Sequence, residues 1–378
     1  MNKRNLPHRF TRREFLGQLF ILGSLMMLPR WVRGADKSDP PNRKLGIVLV
    51  GLGNYSTYHL GPALKETPRC RLAGVVTGDP AKGRRWAREY GFSEKNIWNY
   101  DTIGQIAGHP EVDMIYVVTP NGLHAQHSIA AAKTGKHVIC EKPMANTVAE
   151  CDAIIAACKE AGVQLFIGYR LHYEAHHVEF ARYGREDTFG PFMKMSGANG
   201  FRVDGLDWNN WRRDPKLSGG GPLMDMGVYV IQAACMAKGE VAPVSITAKF
   251  APKKHPKIFP QVEEAVNWTM IFGDGATADC LATYDENVSS FRAEGNKGWA
   301  QLNYPAFYYD PVTLTTSKGP VNFPNVNHQV AQFEGIAATI LDGVPNLIPG
   351  SMGRRDMAVV EAIYASARND GTSVEVKA

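Results

Sequence analysis

The stretch 45-LGIVLVGLGNYS-56 decides the fold of this chain. Its first part, Leu45 to Val50, is an unbroken apolar run, which is typical of a strand buried on both faces of a parallel sheet. The glycine-rich turn that follows opens a helical stretch, and helix N-termini bind phosphate groups. Gly51 permits the tight turn and Gly53 lets the backbone approach a ligand, so we predict a dinucleotide site. The predicted contacts in this turn are Gly51, Gly53, Asn54 and Tyr55.

The end of the second predicted strand, Arg71 to Val76, indicates which dinucleotide binds. An NAD site usually has an acidic residue at that point, whereas this chain has Thr77, with Asp79 two residues further on. Bases follow in the next helix at Lys82 and Arg84, and a hydroxyl group with cations suits a 2′-phosphate. We therefore predict NADP, with Thr77, Lys82 and Arg84 as contacts. The alternative is NAD, with Asp79 on the ribose.

Strands and helices alternate as far as residue 166, which predicts a doubly wound parallel sheet, a Rossmann domain, over 45–166. Ligands of such sheets bind beyond the carboxyl ends of the strands. Two predicted strands, Asp113–Val118 and His137–Cys140, are each followed by polar residues at this edge. The predicted cofactor contacts there are Pro120, Asn121, His124, Glu141 and Lys142.

The pattern changes in the second half of the chain, where short strands recur at hairpin spacing. Glycine-rich turns at 273–275 and 295–298 separate three of them. We predict that 167–378 forms an α+β domain with a large, mostly antiparallel sheet that has one open face. The predicted strands are Val244–Phe250, Glu264–Phe272, Ala276–Tyr284, Val288–Glu294 and Trp299–Asn303.

A glycine run at 219–221 enters a predicted helix that reaches about Ala237. Asp225 and Tyr229 are four residues apart, so both are predicted to project from one helix face. Lys142 follows a strand end of the first domain, where a cofactor would meet a substrate. A lysine ammonium lowers the pKa of a nearby phenol, which is ordinarily near 10, and makes it a usable base.

These three residue types suit the oxidation of a sugar hydroxyl group. Tyr229 would exchange the proton, Lys142 would stabilise the phenolate or the developing alkoxide, and Asp225 would orient Lys142 or accept from a sugar hydroxyl. The alternative is that Asp225 caps the helix and Tyr229 packs in the core.

A polar, aromatic segment, 169-YRLHY-173, follows the last strand of the first domain. Its position predicts substrate contacts from Tyr169, His172 and Tyr173. Ligation of a metal by His172, His176 and His177 is the alternative, but no acidic residue has the spacing of a metalloenzyme site. We therefore predict no metal.

The N-terminus has the pattern of a twin-arginine signal over 1–34, in which 11-TRREFL-16 precedes a broken apolar run that is too short to span a membrane. A basic arm or a retained anchor is the alternative. The chain has a net charge of +5, but 1–34 holds seven Lys and Arg against one Glu. The remainder is therefore near −1, so no nucleic-acid partner is predicted. We expect a periplasmic protein with no stable membrane insertion and a short arm at 35–44.

The six cysteines form no CxxC pair and no zinc-like spacing. Cys151 and Cys158 share one helix face, but about 10.5 Å of helical rise separates them, which is too far for a disulfide. We expect buried thiols.

Glu141-Lys142-Pro143, with 121-NGLHA-125 and 135-GKHV-138, resembles the glucose–fructose oxidoreductase/inositol dehydrogenase family. The similarity runs from about Leu45 to Arg368. Tyr229 stands where many cytoplasmic members have histidine. The chain is therefore most similar to the exported members, which hold NADP tightly.

The resemblance implies a Rossmann domain and a sheet domain whose open face forms a homodimer or homotetramer. It implies that Lys142 and Tyr229 are catalytic. It also implies cofactor contacts from the matching residues Arg170, Trp211 and Arg212, and a sugar contact from Tyr309 or its neighbour Tyr308.

Location and cofactor together predict the reaction. Free NADP is not expected in a periplasm, so an exported enzyme that released its cofactor would stop after one turnover. We therefore predict that one aldose is oxidised at C1 to the lactone and that a second sugar is reduced to an alditol. The alternatives are a conventional NAD(P)-dependent aldose dehydrogenase, an NAD-dependent glycoside hydrolase and a non-catalytic sugar sensor.

Overall fold

The structure is a computed structural model that describes residues 43–203, 210–303, 306–307 and 311–377. Its first part is a six-stranded parallel sheet with the order β3-β2-β1-β4-β5-β6. The strands are β1 (Leu45–Val50), β2 (Cys70–Val76), β3 (Ile97–Trp98), β4 (Met114–Val117), β5 (His137–Cys140) and β6 (Leu165–Ile167). The predicted Rossmann sheet is confirmed.

Helices connect these strands, and local capping determines where they begin. The Asp79 carboxylate accepts from the backbone N–H of Lys82, and Thr147 forms a capping box with Glu150. All six residues of β1 are buried, as expected for a parallel sheet covered on both faces. The helices are α1 (Gly61–Glu66), α2 (Pro80–Tyr90), α3 (His124–Ala132) and α4 (Val148–Glu160).

The second part contains a nine-stranded sheet with the order β14-β13-β12-β11-β7-β10-β9-β8-β15. Its neighbouring strands pair antiparallel, except that β7 and β10 are parallel. Each of the five predicted strands matches an observed one to within one residue at either end. The strands are β7 (Lys194–Gly200), β8 (Ser245–Phe250), β9 (Ala265–Ile271), β10 (Thr277–Thr283), β11 (Val288–Gly295), β12 (Gly298–Asn303), β13 (Thr313–Thr316), β14 (Gly319–Val321) and β15 (Val374–Glu375).

The last two helices of the chain return to the Rossmann part. Arg69 donates to Asp342 over 2.7 Å, and the backbone N–H of Val148 donates to Glu361 over 2.8 Å. These two helices therefore connect the second part of the chain to the Rossmann part. The helices of the second part are α5 (Ala175–Arg185), α6 (Pro215–Ser218), α7 (Val228–Ala237), α8 (His328–Asp342) and α9 (Gly350–Arg368).

The remaining sequence-based expectations meet the structure with different outcomes. All six cysteines are buried free thiols, as predicted. Within the described ranges, no helix has both the length and the hydrophobicity needed to cross a membrane. The signal sequence and most of the arm lie outside the described residues, and assembly through the large sheet stays a prediction.

Candidate active site

A cleft of about 350 Å³ lies between the carboxyl ends of the Rossmann strands and the start of α7. It brings together most of the polar residues that the sequence assigned to cofactor and substrate. The predicted site residues that line it are Asn54, Tyr55, Asn121, His124, Glu141, Lys142, Arg170, Trp211, Arg212, Asp225 and Tyr229.

The glycine turn after β1 has the form that a dinucleotide needs. Gly51 has φ +97°, and a Cβ there would lie 3.0 Å from the Val118 carbonyl oxygen, so only glycine fits without strain. A Cβ at Gly53 would face open space, which leaves the backbone accessible to a phosphate. Ser56 donates to the Gly51 carbonyl over 2.7 Å and fixes the turn. The residues present therefore fit a dinucleotide.

The end of β2 holds the residues predicted to select the cofactor. Thr77 is buried, and its hydroxyl accepts from the backbone N–H of Asp79 over 3.2 Å. The Asp79 carboxylate accepts from the backbone N–H of Lys82, which lowers the pKa of this exposed acid. The Lys82 ammonium donates to the Leu52 carbonyl and so lies at the glycine turn, while Arg84 is exposed on α2. Asp79 thus serves as a helix cap, and Lys82 is the cation beside the turn.

The loops after β4 and β5 are tied to each other and to the second domain. His124 is buried, with Nδ1 2.8 Å from the Pro143 carbonyl oxygen and Nε2 2.8 Å from that of Thr119. Burial lowers the pKa of His124 to about 4, so the imidazole is neutral and donates to one of these two carbonyl groups. Asn121 donates to the Ser218 carbonyl over 2.8 Å. Pro120, half-buried, begins the short turn that contains Asn121.

Glu141 is a buried carboxylate beneath the cleft. It accepts from the Tyr116 hydroxyl and from the backbone N–H of Lys142, the latter over 3.1 Å. A Cβ at Gly168 would lie 2.4 Å from its Oε1, so a larger residue there would displace the carboxylate. Burial raises the pKa of Glu141 despite these hydrogen bonds. Glu141 therefore fixes the backbone that carries Lys142.

Lys142 and Tyr229 meet in the cleft. The Lys142 ammonium lies 4.3 Å from the centroid of the Tyr229 ring and donates to the Asp225 backbone carbonyl over 3.0 Å. Burial by itself raises the pKa of Tyr229, but the charges of Lys142 and Arg170 outweigh it, and the net direction is downward. The Lys142 ammonium thus lies close to the Tyr229 phenol, as predicted.

Asp225 is held by contacts of both its side chain and its backbone. Its carboxylate accepts from Arg212 Nε over 2.9 Å and from the Tyr284 hydroxyl over 3.0 Å, while its backbone carbonyl contacts Lys142. The predicted contact of Asp225 with Lys142 is thus made by the backbone carbonyl. Residues 223–227 form a π-helical turn that leads into α7, and Asp225 and Tyr229 line the same cleft.

Three predicted sugar contacts lie away from the cleft. The buried Tyr169 hydroxyl donates to Asp356 over 2.6 Å, His172 Nε2 lies 3.3 Å from Glu240, and the Tyr173 ring packs against Gly335. The 3-10 turn at 170–173 directs these side chains into the interior instead of toward the strand ends. Their assignment as substrate contacts is corrected accordingly. Tyr308 and Tyr309 lie outside the described residues.

The histidines considered as metal ligands have a different role. Glu174 accepts from the Nδ1 atoms of His176 and His177 over 2.7 and 2.6 Å. It also accepts from their backbone N–H groups and therefore caps α5. His176 and His177 are therefore hydrogen-bond donors to the buried residue that caps α5.

Comparisons with known proteins match both halves of the chain. Residues 45–169 match the oxidoreductase family with an NAD-binding Rossmann fold, and residues 182–301 match the GFO/IDH/MocA C-terminal domain. The chain belongs to the GFO/IDH/MocA oxidoreductase family. Its first domain is thus an NAD(P)-binding Rossmann domain.

Several relatives of this GFO/IDH/MocA protein cover most of its length. The crystal structure of aldose-aldose oxidoreductase from Caulobacter crescentus complexed with glycerol is 38% identical, with a TM-score of 0.84 over 88% of this chain and 100% of that chain. The D-xylose 1-dehydrogenase (NADP(+)) of Haloarcula marismortui is 26% identical over 344 residues, which are 89% of this chain and 93% of that protein. Levoglucosan dehydrogenase in complex with NADH and levoglucosan is 22% identical with a TM-score of 0.76 over 89% of this chain and 100% of that chain, which shows the shared fold.

Some residues that line the cleft of this GFO/IDH/MocA protein were missed by the sequence analysis. Tyr58 and His59 come from a π-helical turn at 56–60, which lies across the cleft from the one at 223–227. π-helical turns occur often at functional sites, and the sequence pattern did not predict either of these two. Phe201 and Phe307 belong to loops of the second domain, and the sequence did not identify them as cleft residues either.

Glu263 is a further residue that the sequence did not reveal. Its buried carboxylate accepts from the backbone N–H groups of Gly221 and Leu223 over 2.9 and 3.2 Å and from the Tyr364 hydroxyl over 2.9 Å. It therefore anchors the turn that leads into Asp225. No local pattern identifies it, because it lies about 40 residues from the turn.

Glu263→Ala is expected to lower the free energy of unfolding by about 2–4 kcal/mol, because it leaves buried donors without an acceptor. The midpoint of urea unfolding measures this loss. The matched control is Glu89→Ala, which removes an exposed partner of Lys65 and is expected to change stability by less than about 0.5 kcal/mol. Equal midpoints for the two variants would contradict the anchoring role.

Proposed function

We propose that this protein is an exported, NADP-dependent sugar oxidoreductase that oxidises an aldose at C1 to the lactone and reduces a second sugar to an alditol without releasing its cofactor. The observation that carries the proposal is the contact of Lys142 with Tyr229 in the cleft, beside the Rossmann strand ends. Relatives named for aldose and D-xylose chemistry support a sugar as the substrate.

Tyr229 exchanges the proton in this proposal. In the first half-reaction the C1 hydroxyl gives its proton to the Tyr229 phenolate, and the C1–H bond gives up a hydride. In the second half-reaction the phenol returns a proton to the oxygen of the acceptor carbonyl. The lowered pKa suits this role, because the phenolate form becomes accessible nearer to neutral pH.

Lys142 and the Asp225 group assist the transfer. The Lys142 ammonium stabilises negative charge on the phenolate and on the sugar oxygen, in a cleft where water is partly excluded. Asp225, held by Arg212 and Tyr284, lines the same cleft and can accept from another sugar hydroxyl. Both groups are held in place before substrate arrives, so little reorganisation is needed.

The bound nicotinamide supplies the hydride acceptor and donor. The glycine turn at 51–53 would hold its pyrophosphate, and Thr77 with Lys82 would hold the 2′-phosphate. The proposed contacts from Asn121 and His124 lie between these groups and Lys142 along the strand ends.

Export and cofactor retention support each other within this proposal. The twin-arginine route carries folded proteins, so the cofactor can be loaded before export. Outside the cytoplasm a bound cofactor must be reduced and re-oxidised in place, which two sugars accomplish. The proposed location is therefore the periplasm.

Cofactor preference gives a testable consequence. The protein stripped of cofactor is expected to bind NADP+ at least about tenfold more tightly than NAD+, and Lys82→Glu is expected to abolish this preference. The reason is that a charge-assisted hydrogen bond contributes about 1.5–3 kcal/mol. Titration calorimetry with each dinucleotide measures both affinities.

Lys95→Glu is the matched control for this change, because Lys95 is an exposed lysine of the same domain. It is expected to leave the ratio of the two affinities as it is in the wild type. Lys82 also contacts the Leu52 carbonyl, so loosening of the turn would weaken NAD+ binding as well. Loss of both affinities in equal proportion would contradict a 2′-phosphate contact.

Product analysis tests the proposed reaction itself. The mature protein is incubated with an aldose and a second sugar, without added cofactor, and the products are separated by chromatography. Lactone and alditol in equal amounts support the proposal. Free sugar released from an aryl glycoside would instead indicate a glycoside hydrolase, and no product from any sugar would indicate a sensor.

A second candidate is a conventional aldose dehydrogenase that releases its cofactor. The similarity to D-xylose 1-dehydrogenases (NADP(+)) from Haloarcula marismortui and Haloferax volcanii favours it. Such an enzyme forms lactone only in proportion to added NADP+, and a second sugar does not replace that requirement.

A further inference from the structure

Arg170 is buried behind Tyr229, on the 3-10 turn that follows β6. Its Nη1 lies 2.8 Å from Nδ1 of His328, and its Nη2 donates to the Phe307 carbonyl over 2.7 Å. The same Nη2 lies 3.4 Å from the Tyr229 hydroxyl oxygen, and the guanidinium carbon is 5.5 Å from the ring centroid. Arg170 is thus fixed on two sides and directed at the phenol.

We propose that Arg170 is a positioning residue for proton transfer, which together with Lys142 holds the Tyr229 phenolate between two cations. This inference rests on the proposed function, because it takes Tyr229 as the group that exchanges the proton. It differs from the sequence-based assignment of Arg170 to the cofactor.

The two cations approach different parts of Tyr229. Lys142 lies over the ring, whereas Arg170 reaches the hydroxyl oxygen. Burial of a phenol disfavours its charged form, and an opposite charge within about 4–6 Å favours it. The pKa of Tyr229 is raised by burial and lowered by Lys142 and then by Arg170, and the lowering prevails. Removal of either cation should therefore shift the balance toward the neutral phenol.

His328 explains how Arg170 keeps this position. The imidazole is buried at the start of α8, and burial together with the charge of Arg170 lowers its pKa to about 3. A neutral imidazole accepts at one nitrogen, so Nδ1 accepts from Arg170 and the proton is on Nε2. His328 thus anchors the guanidinium without neutralising its charge.

Other titratable groups surround Tyr229 and bear on its ionisation. From the Rossmann side, the cleft also contains His59, His124, Glu141 and Lys142. From the second domain it contains Arg212 and Asp225, while His172 and His177 line a small cavity on the other side of Tyr229. Glu141 raises the pKa of Tyr229. These groups are the same in every Arg170 variant. A difference in the Tyr229 titration midpoint between variants is therefore caused by the change at Arg170.

The test measures Tyr229 directly, without turnover. Tyrosinate absorbs in the near ultraviolet where tyrosine does not, so titration of the mature protein minus titration of Tyr229→Phe isolates the ionisation of Tyr229. The same subtraction is made for Arg170→Gln, using the double variant with Tyr229→Phe. The Tyr229 midpoint is expected to rise by about one pH unit or more in Arg170→Gln and to rise less in Arg170→Lys, which keeps the charge.

The rate of the oxidation half-reaction gives a second readout. In Arg170→Gln it is expected to fall about tenfold or more near neutral pH and to approach the wild-type rate at alkaline pH, where the phenol ionises unaided. Arg182→Gln is the matched control, because Arg182 is a half-buried partner of Glu179 on α5 and lies outside the cleft. Its titration and rates are expected to match the wild type.

An unchanged Tyr229 midpoint in Arg170→Gln would overturn the inference, and so would a rate lowered by one factor at every pH. If Arg170→Gln does not fold, His328→Leu is used instead, because it removes the acceptor that anchors Arg170. The Tyr229 midpoint is expected to rise in this variant too. An unshifted midpoint in His328→Leu would also overturn the inference. Failure of the proposed function is distinct: it would appear as wild-type turnover in Tyr229→Phe, whereas the titration needs no turnover.

Discussion

Lys142→Met is expected to lower the rate of the oxidation half-reaction by about 10³-fold, because it removes the cation that lies over the Tyr229 ring and that, in the proposed reaction, stabilises the sugar oxygen. Methionine keeps the length and apolar stem of the side chain, so the cleft retains its shape. The rate is measured in one turnover, as the absorbance of reduced nicotinamide that appears when saturating aldose is mixed with the holoenzyme.

Lys133→Met is the control for this change, because Lys133 is exposed on the same domain. It is expected to react at the wild-type rate. The backbone of Asp225 loses a hydrogen bond in Lys142→Met, so the unfolding midpoint is measured in parallel. A folded Lys142→Met protein that reduces its cofactor within about tenfold of the wild-type rate would contradict the assigned role.

Tyr229→Phe is expected to lower the same rate by about 10²–10⁴-fold, since it removes only the group that exchanges the proton. The wild-type rate is expected to rise with pH toward a plateau, because the phenolate is the active form and exists above the pKa. The lowered pKa places this rise below the ordinary tyrosine value near 10. Stopped-flow measurements across the pH range record the profile.

Tyr183→Phe is the matched control, because Tyr183 lies on α5 and is buried against Phe189. It is expected to keep the wild-type profile. In Tyr229→Phe the residual rate is expected to lose the rise with pH. Persistence of that rise would show that another group titrates, and Tyr229 would then not be the proton acceptor.

The Rossmann domain was predictable because its strands are continuous apolar runs. β1 and β2 match their predicted ranges closely, and the five predicted strands of the second sheet are flanked by clear turns. β7 was missed. Its sequence, 194-KMSGANG-200, is small and polar and has no alternation, so its strand form depends on pairing with β10 and β11. Such distant pairing has no local signal.

The site was predictable where one motif supplies the residue. Lys142 and Glu141 lie directly after β5, and that placement follows from the topology of parallel sheets. The contact of Arg170 with His328 joins residues 158 positions apart, and Tyr284 is 59 positions from Asp225. Only the folded chain brings these pairs together.

The segment around Asp225 shows what a local spacing rule predicts and what it leaves open. Spacing of four residues places two side chains on one face of an α-helix, and on that basis Asp225 was predicted to face the same way as Tyr229. Both residues do line the same cleft, although a π-helical turn occupies 223–227. Their partners were not predictable in the same way: the Asp225 carboxylate pairs with Arg212, and Tyr229 contacts Lys142.

The measurement that tests the central claim most directly uses the mature protein purified without added cofactor. Its absorbance in the reduced-nicotinamide band is recorded before and after an aldose is added, and again after a second sugar. A bound cofactor that the aldose reduces and the second sugar re-oxidises is the expected result. A protein that carries no cofactor, or a bound cofactor that no sugar changes, would contradict a self-recycling sugar oxidoreductase.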